Sequence, residues 1–276
     1  MTTVDLRYES RLGLALGGGG ALGAAHVGVL QVLAERGIAP SIVVGTSAGS
    51  LMGAAYAIGI DPYELERMVL GVSWGDFGTL SMTPGFGVLD TAGLRDTVDR
   101  VGGDRLIEDL PVRYAAVATD LLSEEVVLLD HGSIVDAMRA SIAVPGLFRP
   151  AKLEGHLLVD GGLLQNLPLE ATFEMGARHV IGVRLAPEWD AIPRLRTALE
   201  VHALEIRSDV TLISPRVRHR SQWVARDIPG LVALGREAAE AALASYPVTT
   251  PRPAANPPTE EVPPPPRGGE ADRRKR

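Results

Sequence analysis

The stretch Val43-Val44-Gly45-Thr46-Ser47-Ala48-Gly49-Ser50 decides the fold. A short apolar run enters Gly-x-Ser-x-Gly and leaves as a helical run of small residues, Leu51 to Ile58. Strand, sharp turn and helix in that order make a nucleophile elbow, with the serine hydroxyl pushed outward. Gly45 and Gly49 stand where a side chain would collide with the turn or with a neighbouring strand. The helix that begins after Ser47 turns its N-terminal N–H groups and dipole toward any negative charge developing there. An ordinary βα turn that happens to hold a serine is the alternative, and the rest of the chain weighs on it.

Working outward, Leu12 to Leu16 reads as a first strand ending in Gly17-Gly18-Gly19-Gly20. Ala21 to Arg36 reads as the helix after it, with Val27, Leu30 and Leu33 near the helical period and Gly37 as C-cap. Ile42 to Val44 is a second strand and Ala48 to Ile58 a second helix; Asp61 and Pro62 open a third by N-cap and N1 chemistry. Tyr114 to Thr119, Val126 to Leu129, Leu157 to Val159, Val180 to Leu185 and Asp209 to Ile213 read as strands, and Ile134 to Ala140 and Leu231 to Ala244 as helices. Strand and helix alternating at this spacing predict a parallel α/β sheet.

Composition narrows the function. The 276 residues are 46% hydrophobic, enough for one sizeable core and too few for two large domains. A formal net charge of −7 argues against a nucleic-acid partner, since such domains are usually basic. With no cysteine there is no disulfide, thiolate metal site or cysteine nucleophile. Met1 to Arg11 is polar and mixed in charge, so no signal peptide is expected, and no apolar run is long enough to predict a membrane span. The expectation is a cytoplasmic protein. The last thirty residues hold nine of the twenty prolines and almost no apolar bulk. Residues 1–246 are therefore expected to form the folded domain and 247–276 a disordered tail. The basic end of that tail, Arg273-Arg274-Lys275-Arg276, has the charge to touch anionic lipid at the periphery of the inner membrane face, although a solvated tail is the simpler reading.

A serine hydroxyl needs a base to take its proton and donors for the oxyanion. None of the six histidines, His26, His131, His156, His179, His202 and His219, stands in an obvious loop after a strand. Asp160 is the stronger candidate. It ends an apolar strand, where open α/β sheets place their sites, and Gly161 and Gly162 let the chain turn sharply after it. Partial burial beside a serine would raise its pKa and suit it to the task. Asp120 also ends a strand but lacks the two glycines, and is the rival. The backbone N–H groups of Gly18, Gly19 and Gly20 offer an anion cradle. Gly18-x-Gly20-x-x-Gly23 also matches the dinucleotide fingerprint, but the acid that fingerprint needs after the second strand is replaced by the serine elbow.

With these pieces in order, the chain closely resembles the patatin-like phospholipase family. The resemblance rests on Gly17-Gly18-Gly19-Gly20-Ala21-Leu22-Gly23, Gly45-Thr46-Ser47-Ala48-Gly49 and Asp160-Gly161-Gly162, and further on Ala140-Ser141-Ile142-Ala143-Val144-Pro145-Gly146 and Asn166-Leu167-Pro168. It implies a three-layer α/β/α sandwich with a mostly parallel sheet, a Ser47–Asp160 dyad without histidine, hydrolysis of acyl esters in lipids, and no metal or other cofactor. Family members often carry arginine or lysine where this chain has Leu22, a departure that bears on head-group preference. The alternative is a catalytically silent lipid-binding or regulatory protein on the same fold. Trp74 to Phe86, rich in aromatics and glycines, reads as either a lipid-touching flap or a packing segment, and Arg216 to Arg220 as a solvated face or a phosphate contact.

Overall fold

A computed structural model describes residues 11–71, 79–80, 89–90, 103, 105–185, 198–217, 220–222 and 227–245. Five strands form the parallel part of the sheet: β1 (Leu12–Leu16), β2 (Ile42–Thr46), β5 (Arg113–Asp120), β9 (His179–Val183) and β10 (Val210–Ile213). Their order is β10-β9-β1-β2-β5. Three antiparallel strands complete it, β6 (Glu125–Leu129) and β8 (His156–Asp160) on β5, and β7 (Ala151–Leu153) on β8. A separate two-stranded pair joins β3 (Thr79–Leu80) to β4 (Leu89–Asp90).

The central strands are apolar on both faces because both are covered. One face, with Leu12, Leu14, Leu16, Val43, Tyr114, Ala116 and Ala118, lies under α1 (Ala24–Glu35), α2 (Ala48–Ile58), α3 (Pro62–Leu70), α4 (Ile134–Ser141) and α7 (Ile228–Ala242). The other, with Ala15, Ile42, Val44, Ala115, Val117 and Val180, lies against α5 (Leu169–Glu174) and the side chain of Leu204 from α6 (Ala198–Glu205). The result is the expected α/β/α sandwich. Each fully buried leucine or valine contributes roughly 1.5–3 kcal/mol.

The two longest helices among the described residues cross at glycine. A Cβ on Gly28 of α1 would run into the Val232 carbonyl of α7, and one on Gly235 into the Ala25 carbonyl of α1. Arg236 then reaches Glu35 through two bonds of 2.8 and 2.9 Å, and Arg36 donates to the Leu243 carbonyl at 2.8 Å.

Local differences from the sequence reading have local causes. The first helix opens as a 3-10 turn, Gly20–Gly23, because Gly20 takes φ +55°, and α1 proper starts at Ala24. β7 was not foreseen. It is joined to β8 by Glu154-Gly155, both at positive φ, a two-residue hairpin turn written without the usual asparagine or aspartate. α5 is too short for a periodic signal. Trp74 to Phe86 lies outside the described residues except for the strand at Thr79–Leu80, and so does the tail 247–276.

Candidate active site

β2 ends at Thr46, and α2 begins at Ala48, leaving Ser47 alone on the corner with φ +53° and ψ −123°. A residue with a Cβ pays about 1–3 kcal/mol for such a conformation, so its neighbours must impose it. A Cβ on Gly45 would overlap the Gly49 carbonyl, and one on Gly49 the Leu16 carbonyl, so strand, turn and helix close to a distance only glycine permits. The Ser47 amide donates to Ser141 Oγ at 2.9 Å. The Ser47 carbonyl accepts from the Ser50 amide at 2.8 Å and from Ser50 Oγ at 2.6 Å.

Asp160 arrives from the opposite direction. β5 has two edges, and β6 occupies one of them from Ala116 to Asp120. On the other edge β2 pairs in parallel as far as Thr46 opposite Val117, and β8 takes over antiparallel with Asp160 opposite Ala118. The two strands meet end to end, which sets the residue just past β2 beside the last residue of β8. Ser47 Oγ donates to Asp160 Oδ2 at 2.6 Å, and the Gly162 amide donates to Asp160 Oδ1 at 2.7 Å. Asp160 is 7% exposed. Burial pushes its carboxyl up to about 6, against the opposing pull of the Ser47 hydroxyl and the Gly162 amide.

The glycine loop lies alongside. The Gly17 amide donates to Val183 O at 3.0 Å and the Gly18 amide to Asn166 O at 3.1 Å. A Cβ on Gly18 would come 3.2 Å from Ser47 Cβ, so this backbone borders Ser47 directly. The Gly19 and Gly20 amides take no acceptor among the described residues. Gly23 abuts Ala48, so the turn leading into α1 meets the N-terminus of α2 here. Gly161 backs onto the Val117 carbonyl and Gly162 onto the Asp160 carboxylate. Leu22 is buried in the core. The Ala21 amide donates to Gln222 O at 2.9 Å, which ties the loop to a segment late in the chain.

No described histidine bonds to Ser47 or Asp160. His156 bonds Asp120, His131 bonds Asp130, His179 bonds Thr211 and His26 bonds the Gly17 carbonyl; His219 lies outside the described residues. Asp120 is occupied elsewhere. It accepts from His156 Nδ1 at 2.9 Å, from the Leu122 and Leu157 amides at 3.1 Å each, and from Ser123 Oγ at 3.2 Å. Those donors, His156 first, hold its carboxyl down to about 2. Arg216 and Arg220 pair with Glu237 and Asp227, the solvated reading of that stretch, while Arg218 lies outside the described residues. Among the described residues no cluster of His, Asp and Glu is placed to hold a metal, and no helix is long and apolar enough to cross a membrane. Sequence reasoning singled out neither Ser141 nor the Asn166 carbonyl. Both stand in stretches that carried the family resemblance, which was the available signal.

A mostly parallel α/β/α sandwich with a serine on the elbow, an aspartate against it and a glycine loop beside them defines a class of lipid-hydrolase fold. The chain belongs to the patatin-like phospholipase family, whose model matches residues 14–173. It is 36% identical over 197 residues to an NTE family protein of Mycobacterium tuberculosis, covering 67% of this chain and 53% of that protein. It is 34% identical over 181 residues to patatin-like phospholipase domain-containing protein 7 of Mus musculus, covering 62% of this chain and 13% of that protein. The chain thus spans about half the length of the mycobacterial relative. Among solved structures, VipD from Legionella pneumophila superposes with a TM-score of 0.57 at 16% identity, over 85% of this chain and 66% of that one, a likeness of fold.

Proposed function

We propose that the chain is a serine acyl-hydrolase acting on fatty-acyl esters of phospholipids or lysophospholipids. The observation that carries the reading is the 2.6 Å bond from Ser47 Oγ to a buried carboxylate whose pKa is raised to about 6. Such a group is ionised at neutral pH yet basic enough to accept a proton. Ser47 Oγ attacks the ester carbonyl as Asp160 takes its proton. The Gly19 and Gly20 amides receive the tetrahedral oxyanion, while Gly18 borders it and anchors the loop through its own amide on Asn166. Asp160 returns the proton to the departing alkoxide, leaving an acyl-enzyme. Water, deprotonated by Asp160, then attacks the acyl carbonyl and displaces Ser47 Oγ, which takes the proton back from Asp160 as the fatty acid leaves. The substrate implies contact with a lipid surface.

The test is covalent labelling with a fluorophosphonate, followed by assay on phospholipids, lysophospholipids and short-chain nitrophenyl esters. Labelling at Ser47 is expected, with Ser47→Ala abolishing it and lowering hydrolysis by at least ~10³-fold. A folded chain that neither labels nor hydrolyses would instead be a silent lipid-binding protein.

A further inference from the structure

The stretch Ala140 to Gly146 carried part of the family resemblance, and the mechanism above leaves it without a task. In the fold it lies across the seam where β2 gives way to β8. Ser141, the last residue of α4, is fully buried there. Its Oγ donates to Val117 O at 2.7 Å and accepts from the Ser47 amide at 2.9 Å. The directions are fixed. A carbonyl can only accept, so the single hydroxyl proton goes to Val117 and a lone pair is left for Ser47. Two residues on, the Ala143 carbonyl accepts from the Asp160 amide at 3.0 Å. One short segment thus grips the backbone of both members of the dyad.

The seam explains why such a grip is needed. Thr46 is the last residue of β2 to pair with β5, and the edge beyond it is taken by β8. Ser47, one residue past that pairing, therefore has no β5 carbonyl in register to receive its amide. The Ser141 hydroxyl substitutes for the ladder bond and links the nucleophile back to Val117.

We infer that Ser141 is a positioning residue for the hydrolysis: its hydroxyl holds the Ser47 backbone on the elbow and so sets the approach of Ser47 Oγ to Asp160. The inference rests on the acyl-hydrolase reading. It acts through orientation, where an error of about 1 Å can cost ~10²-fold in rate.

The experiment compares wild type, Ser141→Ala and Thr172→Val on a soluble nitrophenyl butyrate, with melting temperature and fluorophosphonate labelling measured on the same samples. Thr172 is the control. Its fully buried Oγ1 donates to Pro168 O at 2.6 Å beside Gly13, at the far end of β1 from Gly17. Ser141→Ala should lower kcat roughly ten- to hundredfold, leave KM within about twofold, and slow saturating labelling in step. The acidic limb of its pH profile should stay near that of wild type, because Asp160 keeps its burial. Thr172→Val should lose comparable stability with kcat unchanged. If Ser141→Ala is not recovered folded, Ser141→Cys, which keeps the size but accepts weakly, should show the same kcat loss in smaller degree. The inference is overturned if the Ser141 variants keep wild-type kcat, if only KM changes, or if Thr172→Val loses as much kcat. Wild type labelling at Ser47 alongside an equally active Ser141→Ala overturns this inference alone; a wild type that does not label overturns both it and the hydrolase reading.

Discussion

His26 Nε2 lies 2.8 Å from the Gly17 carbonyl oxygen, buried beneath the glycine loop that borders Ser47. A carbonyl only accepts, so the imidazole carries its proton on Nε2, and Nδ1 is left buried without a partner among the described residues. Burial pulls the imidazole pKa down to about 4. The histidine is thus a neutral prop for the loop. His26→Gln keeps a donor within reach and should hold the chemical step within about tenfold, whereas His26→Leu should cost closer to ~10²-fold in kcat. Steady-state kinetics on a soluble ester check this, and a leucine variant as active as wild type would remove His26 from the loop's support.

His26 and Asp160 also act on stability in opposite directions over one pH window. Asp160 titrates at about 6 in the fold and near ~4 unfolded, so stability present at low pH is lost as pH rises from ~4 to ~6. His26 titrates at about 4 in the fold and near ~6.5 unfolded, so stability present at neutral pH is lost as pH falls from ~6.5 to ~4. Each swing is about 3 kcal/mol, and the two offset one another. Asp160→Asn should therefore make stability climb more steeply with pH across the window than in wild type, and His26→Gln should make it fall. Urea melts in half-unit pH steps measure the slopes; three parallel curves would contradict the pairing.

Asp160 can accept a proton only when ionised. The kcat/KM of wild type should fall on the acid side with an apparent pKa near 6, losing about tenfold per pH unit below it. A profile flat down to pH ~4.5 would mean that the base is an unperturbed carboxylate.

Asp120 makes a contrasting prediction. Its four donors fasten the β5–β6 turn to the start of β8, so Asp120→Asn should lower the melting temperature and leave kcat within about threefold. An activity loss as deep as that of Asp160→Asn would restore it as a rival base.

The elbow was legible because its constraint is local: the strand, the turn and the small-residue helix follow one another within sixteen residues of chain, Val43 to Ile58. Asp160 was legible for a similar reason, since strand end and two glycines are written side by side. What the sequence hides is pairing across distance. Nothing near Ser47 announces that its amide bonds a serine 94 positions later, or that the Gly18 amide bonds Asn166. The β7–β8 hairpin escaped because Glu154 takes positive φ, which residue type alone does not suggest. Gly17 to Gly20 could be read as an anion cradle, yet which of the four amides stays open depends on strands and segments that arrive from far along the chain.

The glycine crossing of α1 and α7 has a consequence for how the molecule is made. The bond from Arg36 to the Leu243 carbonyl joins residues 207 positions apart, and α7 covers part of the apolar surface of α1, its Leu231 and Val232 joining the same core cluster. During synthesis that surface stays bare until nearly the whole domain has left the ribosome. At about 5–20 residues per second, this is an exposure of roughly ten to forty seconds. α1 follows directly on the glycine loop, so the packing behind that loop is completed only when α7 arrives. A nascent chain stalled before residue 228 would lack α7 and leave the face of α1 at Gly28 uncovered.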